Sequence, residues 1–202
     1  MILHDLTPGM HPRRVRIFMA EKGLSIERRE VDAANNANST AEFLKLNPLG
    51  RLPVLELDDG SAISESLAIC RYLEIFHPNP PLMGQTPQEA AHVEMWTLRM
   101  ENNLSRPIGY LFMHSSDFYK SRLKQVPAVA EWAKEQAFQT MEWLNTELAE
   151  RTYIAGESYT MADIVAQCAF VLGKAVGVRI PPEMTHLTRW FATVSARPTA
   201  RA

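Results

Sequence analysis

The sequence predicts two domains of different class, a small α/β domain followed by an all-helical domain. Strand and helix patterns alternate before residue 77, whereas only helical patterns follow residue 87. The segment between them, HPNPPLMGQTP (77–87), contains four prolines among eleven residues, and helices and sheet interiors both avoid proline. We therefore predict an α/β domain at residues 1–78, a linker at 79–86 and a helical domain at 87–202.

The α/β domain alternates strands with helices along its length. Its predicted elements are a strand, a helix, a strand, a short helix and a strand–strand–helix unit, at residues 1–6, 11–24, 25–31, 40–46 and 50–73. Val15, Phe18 and Met19 give the first helix an apolar face, because residues three and four apart lie on one side of a helix. This order of elements fits a small sheet with helices packed on it.

The second domain contains three long helical patterns. The first covers residues 87–114, where Pro107 should kink or end the helix. The second, at 127–151, is amphipathic. The third, at 160–176, has a broad apolar face, which is typical of a helix at the centre of a domain.

Composition and charge exclude several classes of function. The net charge is −2, with 46% hydrophobic and 22% charged residues, so we expect no nucleic-acid or acidic-membrane partner. We interpret the basic clusters at 11–16 and 27–29 as solvated faces. Cys70 and Cys168 are too few for a disulfide framework and lack metal-site spacing, and both fall in apolar helical patterns. With no signal-peptide or membrane-span pattern, the sequence predicts a cytoplasmic protein without a metal.

The stretch GRLPVLELDDGSAISESLAICRYL (50–73) combines two features that a plain β-hairpin does not need. Pro53 stands at the mouth of a strand, where it offers no N–H to the ladder. Glu65 and Ser66 stand at the start of a helix, where free N–H groups attract a carboxylate and a nearby acid can accept from an ammonium group. The pair could therefore bind the charged end of an amino acid. In the alternative interpretation, Ser66 is only a helix cap and Glu65 only an acid favoured by the helix dipole.

Several motifs resemble the glutathione transferase family, in the family's order and over nearly the whole chain. They are TPGMHPRRVRIFMAEKGL (7–24), FLKLNPLG (43–50), LPVLELDDG with ESLAICRYL (52–73), and YIAGESYTMADI (153–164). The resemblance is greatest to the fungal and bacterial branch. It implies a thioredoxin-like N-terminal domain and an all-helical C-terminal domain. It also implies that Thr160 and Asp163 form a structural capping box.

The resemblance implies a glutathione site built from two walls. A cis peptide before Pro53 would leave the backbone of Leu52 to bind the cysteinyl part of glutathione, and Glu65 with Ser66 would hold the γ-glutamyl end. The position that contacts the glycine carboxylate in many members falls at Asn38, which carries no charge; Arg51 is a possible substitute.

The turn expected to activate the thiol departs from the family pattern. It reads TPGMHP (7–12), with no Ser, Cys or Tyr, and the family's activating position aligns with Met10 or His11. Without a cysteine there, thiol–disulfide exchange of the glutaredoxin type is not expected. Thr7 supplies the only hydroxyl group. The candidate catalytic residues are therefore Met10, His11 and Thr7, against the alternative that Thr7 and His11 are ordinary turn residues.

The electrophile is expected between the domains, against the end of the kinked helix. Tyr110, Met113, His114 and Ser116 would supply a wall with both apolar and hydrogen-bonding groups, unless they are ordinary interdomain core. The resemblance implies a homodimeric detoxification enzyme that uses glutathione as co-substrate and transfers it to small hydrophobic electrophiles. A non-catalytic glutathione- or ligand-binding protein and a glutathione-dependent peroxidase are the alternatives.

Overall fold

The computed structural model describes all residues, Met1–Ala202, and divides them into two compact units. The first contains Met1–Leu82 with Arg201–Ala202, and the second contains Met83–Ala200. None of the helices combines the length and the apolar character that crossing a bilayer requires.

The first unit is a four-stranded sheet with helices, as the sequence predicts. Its elements are β1 (Ile2–Asp5), α1 (Met10–Glu21), β2 (Glu27–Glu30), α2 (Ala41–Leu46), β3 (Val54–Glu56), β4 (Ala62–Ser64) and α3 (Ser66–Phe76). The strand order is β2-β1-β3-β4. Strand β1 runs parallel to β2 and antiparallel to β3, which is antiparallel to β4. This is the thioredoxin-like arrangement that the motifs imply.

The core of this unit forms where the sheet meets the predicted apolar face of α1. Leu3 of β1 is paired with Leu55 of β3, and both side chains are buried. Val15, Phe18 and Met19 are buried as their spacing predicts. The burial of these apolar side chains is the main force that holds helix to sheet, because each contributes about 1.5–3 kcal/mol when removed from water.

Two arginines that the sequence places on a solvated face are buried instead. Arg14 and Arg16 are 1% and 5% exposed. Arg16 Nη1 lies 2.7 Å from Asp5 Oδ1, and Arg28 Nη2 lies 2.6 Å from Asp5 Oδ2. The interpretation of residues 11–16 as a solvated face is wrong for these two side chains. For Arg16 the reason is the buried carboxylate at the end of β1, which requires cationic partners.

The second unit is all-helical, as predicted. Its helices are α4 (Pro87–Met100), α5 (Arg106–Ser115), α6 (Pro127–Glu147), α7 (Met161–Ala175) and α8 (Thr185–Ser195). A π-helical turn, Glu101–Ser105, joins α4 to α5 directly before Pro107. Because Pro107 has no N–H for the carbonyl of Asn103, that carbonyl accepts a hydrogen bond from Thr140 Oγ1 at 2.7 Å instead. Proline thus distorts the helical run without ending it.

Asp163 anchors the start of α7 in the core of the second unit. Its side chain is fully buried and accepts from the N–H groups of Ile154 and Thr160 and the Trp190 indole, at 3.0, 2.9 and 2.8 Å. Thr160 is the N-cap residue of the helix. Burial raises the pKa of the Asp163 carboxyl to about 6, although these hydrogen bonds act to lower it. The contacts agree with the structural role expected for Thr160 and Asp163.

Candidate active site

The turn between β1 and α1 is fixed by charged groups that sequence reasoning did not connect. Thr7 donates its backbone N–H and its hydroxyl hydrogen to the two carboxylate oxygens of Glu30, each at 2.8 Å. Its carbonyl accepts from Arg16 Nη2 at 2.7 Å. The single hydroxyl hydrogen of Thr7 is therefore already donated within the protein, which weakens its case as a thiol activator.

Helix α1 begins two residues earlier than Pro12, with Gly9 as the N-cap and Met10 as the first helical residue. A Cβ atom at Gly9 would come within 2.9 Å of the Leu6 carbonyl oxygen and of the Pro12 ring, so this close turn requires glycine. Met10 is buried and His11 is exposed. The first-turn backbone N–H groups of a helix point away from its body, toward its N-terminal end. Both candidate positions thus lie at the positive end of the α1 dipole.

The loop before β3 contains the predicted proline. The Leu52–Pro53 peptide is cis. Leu52 packs against a buried cluster formed by Val31, Phe43 and Val54. Apolar packing thus holds the side chain of Leu52 in place, next to strand β3.

The Asn38 side chain braces this same loop. Asn38 Nδ2 donates to the carbonyl of Gly50 at 2.6 Å. Gly50 has a φ of 60°, and a Cβ there would lie 2.9 Å from the Asn38 carbonyl oxygen. Arg51 is exposed, and its carbonyl accepts from Asn47 Nδ2 at 2.8 Å. Asn38 therefore uses one amide hydrogen to hold the loop, whereas the guanidinium of Arg51 extends from an exposed position.

Glu65 and Ser66 lie at the start of α3 but do not cap it in the way that the sequence suggests. Glu65 is the N-cap residue, with no side-chain cap hydrogen bond, and Ser66 is the first helical residue. The interpretation of Ser66 as only a helix cap is therefore wrong. Glu65 has a φ of 70°, a region that costs a non-glycine residue about 1–3 kcal/mol and that recurs at functional sites.

The side chains of this pair are available to a ligand in complementary ways. The Glu65 carboxylate is exposed and makes no hydrogen bond or ion pair. Ser66 is 5% exposed, and its hydroxyl makes a single hydrogen bond, which it accepts from Arg14 Nη1 at 3.3 Å. One residue thus presents an anionic acceptor, and the next presents a hydroxyl hydrogen that no protein group accepts, beside the N–H groups of a helix start.

Arg14 is the residue that sequence reasoning missed at this site. It was grouped with the other basic residues at 11–16 as solvated. Its spacing carried a signal, since Arg14 precedes Phe18 by four residues and therefore lies on the buried face of α1. An arginine on an otherwise apolar helix face calls for buried polar partners, and Ser66 is one of them.

The remaining candidates lie in the second unit, at the end of α5. Tyr110, Met113 and His114 share one side of the helix, and Ser116 is its C-cap. Tyr110 is exposed, and the other three are half-buried. His114 Nδ1 accepts from the N–H of Val126 at 3.2 Å, so a neutral His114 carries its proton on Nε2.

The end of α5 is held in place by a side chain of the following loop. Gln125 Nε2 donates to the carbonyls of Met113 and Ser116 at 3.1 and 2.7 Å. The Ser116 hydroxyl oxygen is buried without a hydrogen-bond partner. Buried polar atoms of this kind are uncommon and often mark a place where water or a ligand binds.

Two family models match the chain, one in each unit. The model described as "Glutathione S-transferase, N-terminal domain" matches residues 10–74, and the one described as "Glutathione S-transferase, C-terminal domain" matches residues 107–198. The chain is 32% identical to glutathione S-transferase 2 of Saccharomyces cerevisiae, with 100% of this chain and 88% of that protein covered.

Solved structures and longer relatives extend the comparison. A glutathione S-transferase domain-containing protein of Marinobacter aquaeolei has a TM-score of 0.95 at 37% identity, covering 99% of this chain and 100% of that one. Gtt2 of Saccharomyces cerevisiae has a TM-score of 0.94 at 33% identity, covering 100% and 99%. Elongation factor 1-gamma 3 of Oryza sativa subsp. japonica is 31% identical over 98% of this chain but only 47% of its own length. The chain thus spans about half of that relative.

Proposed function

The chain belongs to the glutathione S-transferase family, and we propose that it conjugates the thiolate of glutathione to small hydrophobic electrophiles. One observation carries the proposal. At the start of α3, an unpaired carboxylate on Glu65 is followed directly by the Ser66 hydroxyl, whose hydrogen has no acceptor in the protein. This arrangement suits the ammonium and the carboxylate of a γ-glutamyl group, which glutathione carries at one end.

The proposed binding mode uses each wall of the site for one part of the tripeptide. Glu65 accepts from the α-ammonium group, while Ser66 and the first N–H groups of α3 donate to the α-carboxylate. The backbone of Leu52 binds the cysteinyl part, which places the sulfur toward the start of α1. For the glycine carboxylate, the exposed guanidinium of Arg51 is a better partner than Asn38, because Asn38 already donates to Gly50.

The proposed chemistry requires the protein to favour the thiolate over the thiol. A free thiol has a pKa near ~8.5, and lowering that value to ~6.5 takes about 2.7 kcal/mol. The α1 dipole supplies about 0.3–1 kcal/mol and ~2 kcal/mol at best, and Pro12 removes one N–H from its first turn. One hydrogen bond to the charged sulfur, about 1.5–3 kcal/mol, makes up the difference.

The donors proposed for that bond are the backbone N–H groups of Met10 and His11, together with the His11 ring. They occupy the place where the family keeps its activating residue. Thr7 ranks lower because its hydroxyl hydrogen is donated to Glu30. A water held by His114 or Ser116 is the remaining alternative, supported by the unused Nε2 of His114 and the unpartnered hydroxyl of Ser116.

The reaction itself then needs only the thiolate and a positioned electrophile. In substitution, the sulfur lone pair forms a bond to carbon, and the leaving halide departs with the electrons of the broken bond. When the thiolate adds to an enone, the new bond forms between the sulfur and the β-carbon. The resulting enolate takes a proton from solvent. Tyr110 and Met113 are proposed to contact the electrophile, since their exposed or half-buried side chains share one side of α5.

A non-catalytic glutathione-binding protein is the second candidate. It is favoured by the absence of Ser, Cys or Tyr from the turn at 7–12. The relatives named as elongation factors also match nearly the whole chain. Peroxide reduction would use the same activated thiolate, and it is therefore a third outcome of the same experiment.

Titration calorimetry with glutathione and steady-state assays with an aryl halide, an enone and a hydroperoxide distinguish these functions. Binding together with conjugation of the aryl halide or enone is the expected result. Binding without any turnover would replace the proposal with the non-catalytic function, and turnover of the hydroperoxide alone would replace it with peroxide reduction. Absence of glutathione binding would refute all three.

We also propose a cytoplasmic homodimer. Neither Cys70 nor Cys168 forms a disulfide bond, which suits a reducing compartment. Ile75 and Phe76, at the end of α3, are 69% and 63% exposed, and adjacent large apolar side chains of this kind often mark an interface. Sedimentation equilibrium should give twice the chain mass, and an Ile75→Ser/Phe76→Ser variant should shift the equilibrium toward the monomer.

A further inference from the structure

A cleft in the second unit lies where α7, α8 and the loop between them meet. Its volume is about 290 Å³, close to the lower end of the roughly 300–1,000 Å³ that is typical of small-molecule sites. Four of the residues that line it are apolar: Phe170, Val178, Ile180 and Phe191. Three are polar: Lys174, Arg179 and Thr188. None of them is a candidate residue for binding glutathione or the electrophile.

Two glycines allow the loop to turn back against α7. Gly177 follows the helix with a φ of 76°, a conformation that glycine adopts without steric cost. The N–H of Val178 donates to the carbonyl of Gly173 at 2.8 Å, and a Cβ atom at Gly173 would lie 3.3 Å from the Val178 Cβ. Val178 is therefore buried against the helix, and the next two residues, Arg179 and Ile180, reach the cleft.

Aromatic packing holds the apolar lining in place. The rings of Phe170 and Phe191 contact each other edge to face, with centroids 5.6 Å apart. Trp190 packs against both rings, at 5.9 and 6.1 Å, and its own indole is fixed by the hydrogen bond to Asp163. The cleft thus offers a preformed aromatic surface, against which the apolar part of a ligand would be removed from water.

Two cations lie beside this apolar surface without an acidic partner. Lys174 Nζ is 4.8 Å from the centroid of the Phe191 ring, and this cation–π contact keeps the ammonium at the cleft. Neither Lys174 nor Arg179 forms a side-chain hydrogen bond or an ion pair, and Glu183, the acid of the same loop, pairs with neither. The Thr188 hydroxyl also makes no hydrogen bond within the protein. The cleft therefore combines aromatic walls with two unpaired positive charges and a hydroxyl donor.

We propose that this cleft binds a small aromatic carboxylate. The ring packs against Phe170 and Phe191, while the carboxylate accepts hydrogen bonds from Lys174 and from the planar fork of Arg179. An uncharged aromatic molecule would leave both cations without a partner, and an inorganic anion would gain nothing from the apolar walls. The volume suits a body of about one or two fused rings. The inference does not depend on glutathione binding, because every residue that it uses lies in the second unit.

Titration of the whole chain with β-naphthoate, followed by calorimetry and methyl NMR, tests the proposal. We expect saturable binding with a Kd of ~1 mM or tighter and shifted methyl resonances of Ile180. The uncharged isostere β-naphthamide should bind about tenfold more weakly. Lys174→Met and Arg179→Met should each weaken naphthoate binding about fivefold and leave naphthamide binding unchanged. Lys134→Met, which removes an exposed cation of α6 outside the cleft, is the matched control and should change neither affinity.

Thr188→Trp tests the location of the site without removing a charge. The indole should fill the cleft and abolish naphthoate binding, whereas Thr193→Trp, at an exposed position of α8 outside the lining, should leave it unchanged. Sedimentation equilibrium of Thr188→Trp should give the same mass as the wild type. A smaller mass would assign the cleft to a contact between two copies of the chain and overturn the proposal.

The remaining outcomes each decide the proposal. Absence of saturable naphthoate binding, or binding that persists unchanged in the cation variants and in Thr188→Trp, would overturn it. Equal affinity for naphthoate and naphthamide would also overturn it, because the cations would then make no contribution. If Thr188→Trp folds poorly, the double variant Lys174→Met/Arg179→Met, changed only at exposed positions, decides alone. Naphthoate should bind that variant no more tightly than naphthamide binds the wild type.

Discussion

The indole N–H of Trp190 donates to the buried carboxylate of Asp163 across 2.8 Å and thereby joins α8 to the start of α7. The same carboxylate accepts from the backbone of Ile154 and Thr160. Asp163 is therefore a common acceptor for the helix start, the preceding loop and the last long helix. Its polar character serves the folding of the helical unit.

Asp163→Ala should lower the free energy of unfolding by roughly 3 kcal/mol. Loss of a cap alone costs about 0.5–2 kcal/mol, and buried donors without an acceptor cost about 1–3 kcal/mol each. Chemical denaturation measures the loss, and Glu150→Ala, an exposed acid outside these contacts, is the control. The folded variant should bind glutathione normally. Wild-type stability combined with lost binding would instead assign Asp163 to the site.

The same carboxyl should make stability depend on pH. Burial raises the pKa of Asp163 from 3.8 to about 6, so the folded state binds this proton more tightly than the unfolded state. Between these two values the free energy of unfolding therefore rises as pH falls. The contribution is complete below about pH 4 and lost as pH increases through about 6; its size is about 3 kcal/mol.

Urea unfolding of the wild type and Asp163→Asn between pH 7 and 4 isolates this effect, because the other groups are shared. The difference in unfolding free energy, wild type minus variant, should increase steadily toward low pH. A constant difference would show that Asp163 keeps the same protonation in both states.

The sequence could predict what depends on neighbours along the chain and missed what depends on distant partners. The order of strands and helices, the helix start at Thr160 and the acid–serine pair all follow from local spacing. The contact between Arg14 and Ser66 does not, because these two residues lie 52 positions apart in the sequence. The sequence shows which side chains carry a charge. Their solvent exposure, however, depends on which other helix or strand packs against them.

Asn38 illustrates the same limit at the candidate site. Its alignment with a glutathione-contacting position is a local inference, whereas its bond to the carbonyl of Gly50 is a property of the folded loop. The Thr7 hydroxyl is similar, because Glu30 of β2 accepts its hydrogen. A polar side chain that is identified by its motif position alone can therefore form hydrogen bonds that stabilise the loops of the site instead of binding the ligand.

Lys22→Met should destabilise the first unit by about 3–5 kcal/mol, the usual cost of removing one partner of a buried ion pair. Lys22 Nζ lies 2.5 Å from Glu74 Oε2, and the Lys22 side chain is 0% exposed. It also donates to the carbonyl of Pro80, while Glu74 accepts from the N–H of Leu82. The pair thus fastens residues 80–82 to α1 and α3.

Thermal and chemical unfolding of Lys22→Met measures this cost. In the double variant Lys22→Met/Glu74→Gln, much of the lost stability should return, because neither charge of this pair remains and the glutamine can still accept from Leu82. The exposed pair of Arg29 with Glu27 is the control, and Arg29→Met should change stability by less than about 1 kcal/mol. Equal losses in the single and double variants would exclude this account.

Ser66→Ala and Glu65→Gln should each weaken glutathione binding. A hydrogen bond to a charged group contributes about 1.5–3 kcal/mol, or ten- to a hundredfold in affinity. Titration calorimetry measures the change, with Asp59→Asn, an exposed acid in the β3–β4 turn, as the control. Unchanged affinity in both site variants would refute the assignment of the γ-glutamyl site.

Glu65→Gly separates the backbone of this residue from its carboxylate. Glycine adopts positive φ without steric cost, so the variant should be at least as stable as Glu65→Gln while binding glutathione equally weakly. A loss of stability in Glu65→Gly relative to Glu65→Gln that exceeds the entropic cost of glycine, about 0.5–1 kcal/mol, would show that the φ of 70° carries no strain.

His11→Ala should raise the pKa of the bound glutathione thiol. We expect the thiolate to be stabilised by backbone N–H groups at the start of α1 together with the His11 ring, because the dipole alone contributes at most ~2 kcal/mol of the roughly 2.7 kcal/mol required. The ultraviolet absorbance of the thiolate, titrated against pH, gives the pKa in wild type, His11→Ala, Thr7→Val and His114→Ala. Thr7→Val should lower the stability of the protein, because Glu30 loses a hydrogen bond. It should leave the pKa of the bound thiol unchanged. If His114→Ala raises the thiol pKa by about one unit or more, equivalent to ~1.4 kcal/mol, while His11→Ala does not, a water held at the end of α5 is the activating group.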